Sequence, residues 1–382
     1  MKKYITFGSP SIGNEEIRAV TKCMRSGWIG TGPLVKKFEK NFGIYSKSDY
    51  AIAVGSCTAA LHLSLNAISL KKGDEVIVPA MTFCSTVNSI IHSGYKPVLA
   101  DVDINTMNIK PEEIEKKITK KTKALVVVHF AGRPCNMDKI LSIVKKYNLI
   151  LIEDCAHAIE ASYGGKKCGT FGLYGCFSFY VTKNLVTAEG GMILSSSKKN
   201  IDPIKQRALH GMSKDAWKRF SDKGYKHYDI IDAGFKYNMT DIQAAMGLEQ
   251  LNKIGKHLEK RNKIWKEYQE FFKSFDISTP AKIDKNTIHA KHLYTILIDK
   301  KKLGIDRDEF MLKLHNRGIG TGVHYRSIPS YTFYKKKFGW KEANYKNSSL
   351  IGSQTVSLPL SPNLKKTDMD KIFYSIEKTL KN

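Results

Sequence analysis

Two residues, Lys183 and Asp154, stand where the surrounding sequence gives them chemical meaning. The apolar run Leu149-Ile150-Leu151-Ile152 leads straight into Glu153-Asp154. That places a carboxylate at the carboxyl end of a parallel strand, where open α/β sheets bind ligands. Further on, Ser178-Phe179-Tyr180-Val181-Thr182-Lys183-Asn184 sets a lysine just past a buried run and before Ala188-Glu189-Gly190-Gly191, whose glycines permit a turn back into the next strand. Desolvation of such a lysine lowers the amine's pKa and makes it a nucleophile toward a carbonyl. A strand-end carboxylate is the partner that the pyridinium nitrogen of pyridoxal phosphate needs. Taken singly, Asp154 also reads as an N-cap for a following helix, and Lys183 as one surface lysine among many.

A third segment joins them. Val54-Gly55-Ser56-Cys57-Thr58-Ala59-Ala60-Leu61 reads as a strand, a small-residue turn and a helix start, an arrangement that offers backbone N–H groups to a phosphate. Ser56 there reads equally as a plain N-cap. Thr82-Phe83 opens the next strand-end turn, and Phe83 is placed either to stack on a planar ring or to pack in the core.

The elements that must position these residues follow from alternation. From residue 49 onward, short β-rich runs (51–55, 75–79, 97–101, 124–129, 149–153) alternate with helical stretches (57–70, 82–93, 111–119, 137–147), the pattern of a largely parallel sheet with helices on both faces. Runs 177–180 and 191–195 read as strands joined by a loop that carries Lys183, so the sheet is expected to be mixed at that end. The apolar spacing after Asp241 predicts one helix, and residues 258–272 a second. A strand at 292–298, a helix at 307–316, a strand near 322–325 and a terminal helix at 367–380 complete a smaller α+β unit. The expected division is a large α/β domain over 1–250 and a small α+β domain over 251–382.

Composition narrows the function classes. With 42% hydrophobic and 26% charged residues over 382 positions, the chain reads as globular rather than disordered or collagenous. Lys and Arg number 62 against 36 Asp and Glu, a formal charge of +26 that would attract polyanions. The lysines are scattered, as in Lys2-Lys3 and Lys335-Lys336-Lys337, without the patterns of nucleic-acid modules, so a solvated surface is expected and nucleic acid is not. Seven cysteines form an odd set without a C-x-x-C pair, which suits reduced thiols and indicates neither a disulfide framework nor a zinc site. No segment reaches the ~18–20 apolar residues that span a bilayer, and none reads as a signal sequence. The expected location is the cytoplasm.

The ordered set of motifs resembles the DegT/DnrJ-type pyridoxal-phosphate aminotransferases, which aminate nucleotide-linked keto-sugars. The resemblance rests on Gly27-Trp28-Ile29-Gly30-Thr31-Gly32-Pro33, Gly73-Asp74-Glu75-Val76-Ile77-Val78-Pro79, Glu153-Asp154-Cys155-Ala156-His157-Ala158, Phe177-Ser178-Phe179 with Thr182-Lys183-Asn184, and Glu189-Gly190-Gly191. It continues through Gly234-Phe235-Lys236-Tyr237-Asn238-Met239-Thr240-Asp241 and Arg317-Gly318-Ile319-Gly320-Thr321-Gly322-Val323-His324-Tyr325. It implies an aspartate-aminotransferase-like fold in which Lys183 holds the cofactor covalently and later moves protons, and Asp154 pairs with the pyridine nitrogen. It further implies that Phe83 stacks on the ring, that Cys57, Thr58 and Ser178 hold the phosphate, and that His157 lies beside the ring's phenolic oxygen or the phosphate. Asn238 would reach in from a partner subunit of a homodimer, and Thr31, His324 and Tyr325 would meet the sugar nucleotide; His324 taken alone reads better as a structural histidine.

Some positions depart from the family's commonest forms. Cys57 stands where Gly or Ala is frequent, Tyr180-Val181 where His-Pro often appears, and Lys236 and Asn238 replace an Asn and an Arg. The lysine is present, which disfavours the dehydratase branch with His in its place. The segments around Thr31 and His324 look more like the members that aminate carbon four than those that act on carbon three. The expected reaction takes an amino group from L-glutamate to a nucleotide-linked 4-keto-6-deoxy sugar. A 3-keto substrate, or a non-catalytic cofactor-binding regulator with a basic surface for a polyanion, is the alternative.

Overall fold

A computed structural model describes residues 4–213 and 227–381, so the Lys2-Lys3 pair lies outside the described residues. Helices α1 (Asn14–Arg25) and α2 (Pro33–Ser46) precede the alternating core. The core then runs β1 (Tyr50–Val54), α3 (Cys57–Ala67), β2 (Glu75–Pro79), α4 (Cys84–His92), β3 (Lys96–Ala100), α5 (Pro111–Lys117), β4 (Thr122–Val128), α6 (Met137–Lys146) and β5 (Ile150–Asp154). Two short strands, β6 (Ser162–Tyr163) and β7 (Lys166–Lys167), lead to β8 (Tyr174–Ser178), β9 (Gly191–Ser195), α7 (Lys198–Arg207) and the long α8 (Asp241–Phe271).

Seven strands form one sheet in the order β1-β9-β8-β5-β4-β2-β3. Only β9 runs against its neighbours, pairing antiparallel with β1 and β8, while the other pairings are parallel. The mixed end follows from connection length, since β8 and β9 are joined by a loop and parallel strands need a longer crossover. Residues 76–78 and 125–127 are fully buried without alternation, as a sheet covered by helices on both faces requires. In this register Asp154 lies beside Val128 of β4 and Cys176 of β8, at the end of the middle strand.

Of the remaining chain, one part packs on the second half of α8, while Tyr334 and Tyr345 pack on the core of the large sheet. Strand β10 (Thr287–Ile288) pairs with β6, and β11 (Tyr294–Leu297) pairs with β12 (Thr355–Leu358). Leu248, Leu251 and Ile254 of α8 pack with Phe38 and Phe179, whereas Ile264, Trp265 and Tyr268 pack with Tyr294, Val356, Phe310 and Ile372. The proposed division at 250/251 falls inside this helix.

Three expectations are corrected. The two helices expected after Asp241 are one helix of 31 residues. Gly255 costs about 1 kcal/mol in a helix interior, but Leu251, Ile254, His257, Arg261 and Ile264 keep the buried stripe at intervals of three and four across it. The strand expected near 322–325 reduces to a single bridge from Gly322 to Ser357, and the residues after it turn toward a cavity. The strand expected at 177–180 ends at Ser178, the last residue that β9 can pair. Among the described residues, no helix is long and apolar enough to cross a membrane.

Candidate active site

A cavity of about 420 Å³ opens at the carboxyl ends of β5 and β8. Its walls include Cys57, Thr58, Phe83, Asp154, His157, Ser178, Lys183, His324 and Tyr325, so the fold gathers nine of the eleven residues named above from five separate stretches of chain.

Asp154 is buried, with both carboxylate oxygens engaged. Thr86 Oγ1 donates to Oδ2 at 2.9 Å, the Ala156 N–H donates to Oδ1 at 3.1 Å, and the Cys57 thiol lies 3.9 Å from Oδ1. Burial raises its pKa, opposed by the Ala156 N–H, the Thr86 hydroxyl and the nearby Lys183. Thr86 in turn sits 2.8 Å from Thr82 Oγ1. Because the Thr86 proton goes to the carboxylate, Thr82 must donate to Thr86.

Lys183 lies in the loop between β8 and β9, its N–H bonded to the Tyr180 carbonyl at 2.8 Å. Burial pulls its ammonium down to about 8, against the opposing pull of Cys57 and Asp154. The desolvation inferred from sequence for this lysine is present in the fold.

The third element is the start of α3. Ser56 Oγ accepts the Ala59 N–H at 3.1 Å, so its capping role is real. The cap leaves Cys57 and Thr58 in the first turn, whose N–H groups a helix cannot satisfy internally. Gly191 makes this approach possible: a Cβ there would stand 2.6 Å from the Ser56 carbonyl and 2.8 Å from the Cys57 nitrogen. Phe83 is 54% exposed, which removes the core-packing alternative; its ring lies 5.7 Å from that of Tyr325.

His157 accepts the Ala131 N–H on Nδ1 at 3.2 Å, and its Nε2 lies 3.1 Å from the Tyr325 hydroxyl. Burial pushes its pKa well down, so the ring is neutral and its one proton sits on Nε2, donated to Tyr325. Tyr325 is left with its own proton to offer elsewhere, and burial raises that phenol's pKa. His324 bonds through Nδ1 to Ser357 Oγ at 2.9 Å and is pushed down to about 3 by burial.

Two named residues do not line the cavity of their own chain. Thr31 donates to the Met239 carbonyl and accepts from Asn238 Nδ2, and Asn238 Oδ1 is buried without a hydrogen-bond partner. Asp241 holds this region together: its carboxylate accepts the N–H groups of Gly32 at 2.8 Å, Val35 at 2.9 Å and Leu34 at 3.1 Å, capping α2 from the start of α8.

Sequence reading missed Thr86, Glu189 and Tyr180 at the site. The four-residue spacing of Thr82 and Thr86 on a helix start was the available signal for the first; nothing local marks the other two, which also line the cavity.

A family model for the DegT/DnrJ/EryC1/StrS aminotransferase family matches residues 10–377. The chain belongs to that family. The aminotransferase is 42% identical over 380 residues to the spore coat polysaccharide biosynthesis protein SpsC of Bacillus subtilis, covering 99% of this chain and 97% of that one. Its structure is similar to the PMP form of the putative sugar aminotransferase Spr1654 of Streptococcus pneumoniae, with a TM-score of 0.91 and 31% identity over 99% of this chain and 98% of that one. It is also similar to Helicobacter pylori PseC, an aminotransferase involved in the biosynthesis of pseudoaminic acid, with a TM-score of 0.92 and 28% identity over 99% of this chain and all of that one. The protein is thus a pyridoxal-phosphate-dependent sugar aminotransferase.

The cavity fits that cofactor on its own geometry, with a buried carboxylate, a buried amine and a helix start that Gly191 leaves open. When bound, pyridoxal phosphate supplies the electron sink for the carbon that gains or loses the amino group. In this chain Asp154 would hold the ring nitrogen protonated, Phe83 would cover one face of the ring, and Cys57, Thr58 and Ser178 would take the phosphate.

Proposed function

We propose that the enzyme transfers the amino group of L-glutamate to carbon four of a nucleotide-linked 4-keto-6-deoxy sugar, and that it works in the cytoplasm as a homodimer with shared sites. Lys183 Nζ, as the free amine, would take up and return the proton of the donor's α-carbon, a role that an amine with a pKa near 8 suits in both directions. Asn238 of one protomer is assigned to the cofactor phosphate of the other, and Thr31, His324 and Tyr325 to the sugar nucleotide.

The observation that carries this reading is the aim of Tyr325. With His157 Nε2–H donating to its oxygen, the phenol proton is available to a substrate oxygen in the same cavity as Lys183. The sequence resemblance of Gly27–Pro33 and Gly320–Tyr325 to the carbon-four group supports the choice of carbon four. Turnover against a panel of nucleotide-linked 3-keto and 4-keto sugars with L-glutamate tests it. Preferred amination of a 4-keto substrate is expected. Preferred use of a 3-keto substrate overturns the regiochemistry, and salt-sensitive nucleic-acid binding without turnover favours the regulator.

A further inference from the structure

Lys183 stands in a loop, yet its neighbour Asn184 is tied to distant parts of the chain through every polar atom of its side chain. Asn184 Nδ2 donates to Glu160 Oε2 at 2.9 Å and to the Ala290 carbonyl at 2.9 Å. Both amide hydrogens are then spent, so Oδ1 is the acceptor for His292 Nδ1 at 3.0 Å. These ties cross 24, 106 and 108 residues of sequence, whereas the Lys183 N–H reaches only the Tyr180 carbonyl.

Each partner is itself anchored. Glu160 Oε1 accepts from Arg261 Nη2 on α8, and the two side chains of this ion pair are each only 2% exposed. A buried pair of this kind is a weak source of net stability but a strict geometric constraint, because neither charge can leave without exposing the other. His292 packs against His157 with ring centroids 4.5 Å apart and planes tilted by 35°, and its backbone N–H is bonded to the Ala131 carbonyl at 3.1 Å. Asn184 therefore joins the lysine loop to two anchored groups at once: the Glu160–Arg261 ion pair and the His292–His157 pair, whose His157 is bonded to Tyr325.

We infer that Asn184 is a positioning residue for Lys183, and that the buried Glu160–Arg261 pair acts through it to set where the lysine amine stands in the cavity. The inference rests on the reading that Lys183 is the residue that holds pyridoxal phosphate. A misplacement of about 1 Å at a reacting atom can cost on the order of a hundredfold in rate, so the effect is read as speed of capture rather than as affinity.

The test uses the purified full chain freed of cofactor. Pyridoxal phosphate is added at increasing concentration, capture is followed by absorbance, and the product is fixed with borohydride and mapped. For Asn184→Ala the capture rate at saturation is expected to fall by about tenfold or more, while the half-saturating concentration and the melting temperature move little. The exchange Asn184→Asp/Glu160→Gln swaps donor and acceptor across the 2.9 Å contact and is expected to recover part of the rate that Asn184→Asp alone loses. Parental capture by Asn184→Ala overturns the positioning role, as does a loss that the exchange never relieves. If Asn184→Ala does not fold, the comparison of Asn184→Asp with the exchange decides alone. Failure of the parent chain to capture the cofactor on Lys183 is a separate result, and it overturns the reading of the site itself.

Discussion

Thr86 Oγ1 donates to Asp154 Oδ2 across 2.9 Å, from the first turns of α4 to the last residue of β5, with Thr82 behind it at 2.8 Å. Asp154 must stay ionised in a buried place to serve a pyridinium nitrogen, and burial works against that. The hydroxyl and the Ala156 N–H stabilise the charged form that burial disfavours.

Replacing Thr86 with Val keeps the shape and removes the hydroxyl. Leaving one buried carboxylate oxygen unpaired costs about 1–3 kcal/mol, so a lower melting temperature is expected. Because Thr86 holds the Asp154 pKa down, its loss raises that pKa, and the acid limb of the kcat/KM profile should move to higher pH. An unmoved limb argues that the contact is structural only.

Asp154→Asn should retain the cofactor yet lose on the order of a hundredfold or more in kcat, as expected when a preorganised electrostatic partner is removed. Cofactor content by absorbance and single-turnover rates with L-glutamate separate the two effects. Near-parental turnover at full occupancy would remove Asp154 from its assigned role.

Lys183 titrates near 8 because it is buried. Below that pH the amine is protonated and inert, and above it the neutral amine is the nucleophile. Capture of pyridoxal phosphate by the cofactor-free protein should therefore rise with pH through a midpoint near 8. Lys183→Ala should abolish this signal while the fold, read by circular dichroism, persists. Label recovered on another lysine would contradict the assignment.

The shared-site proposal predicts complementation. In a hybrid of Lys183→Ala with Asn238→Ala, one site carries both lesions and the other carries neither. Equal mixing with free exchange should return about a quarter of parental activity, measured against each inactive parent. Verified hybrids without recovery, or an active monomer by sedimentation, would defeat the model.

Much of this enzyme is written locally. The runs 76–78 and 125–127 announce doubly covered strands because a parallel sheet buries both faces, and that pattern needs no knowledge of neighbours. The backbone positions of Asp154 at a strand end and Lys183 in the loop after a strand were legible for a related reason, since runs of apolar residues mark where those strands stop. The continuity of α8 was not legible, because Gly255 interrupts the helix signal and only contacts on both sides of it keep the stripe buried. The proton on His157 Nε2, the hydroxyl of Thr86 on Asp154 and the triple anchorage of Asn184 depend on partners 26, 68 and up to 108 residues away. Hydrogen bonds of that kind are directional and short in reach. Residue types and spacing therefore determined which groups could do chemistry, and tertiary packing alone decided which proton each of them holds and where it points.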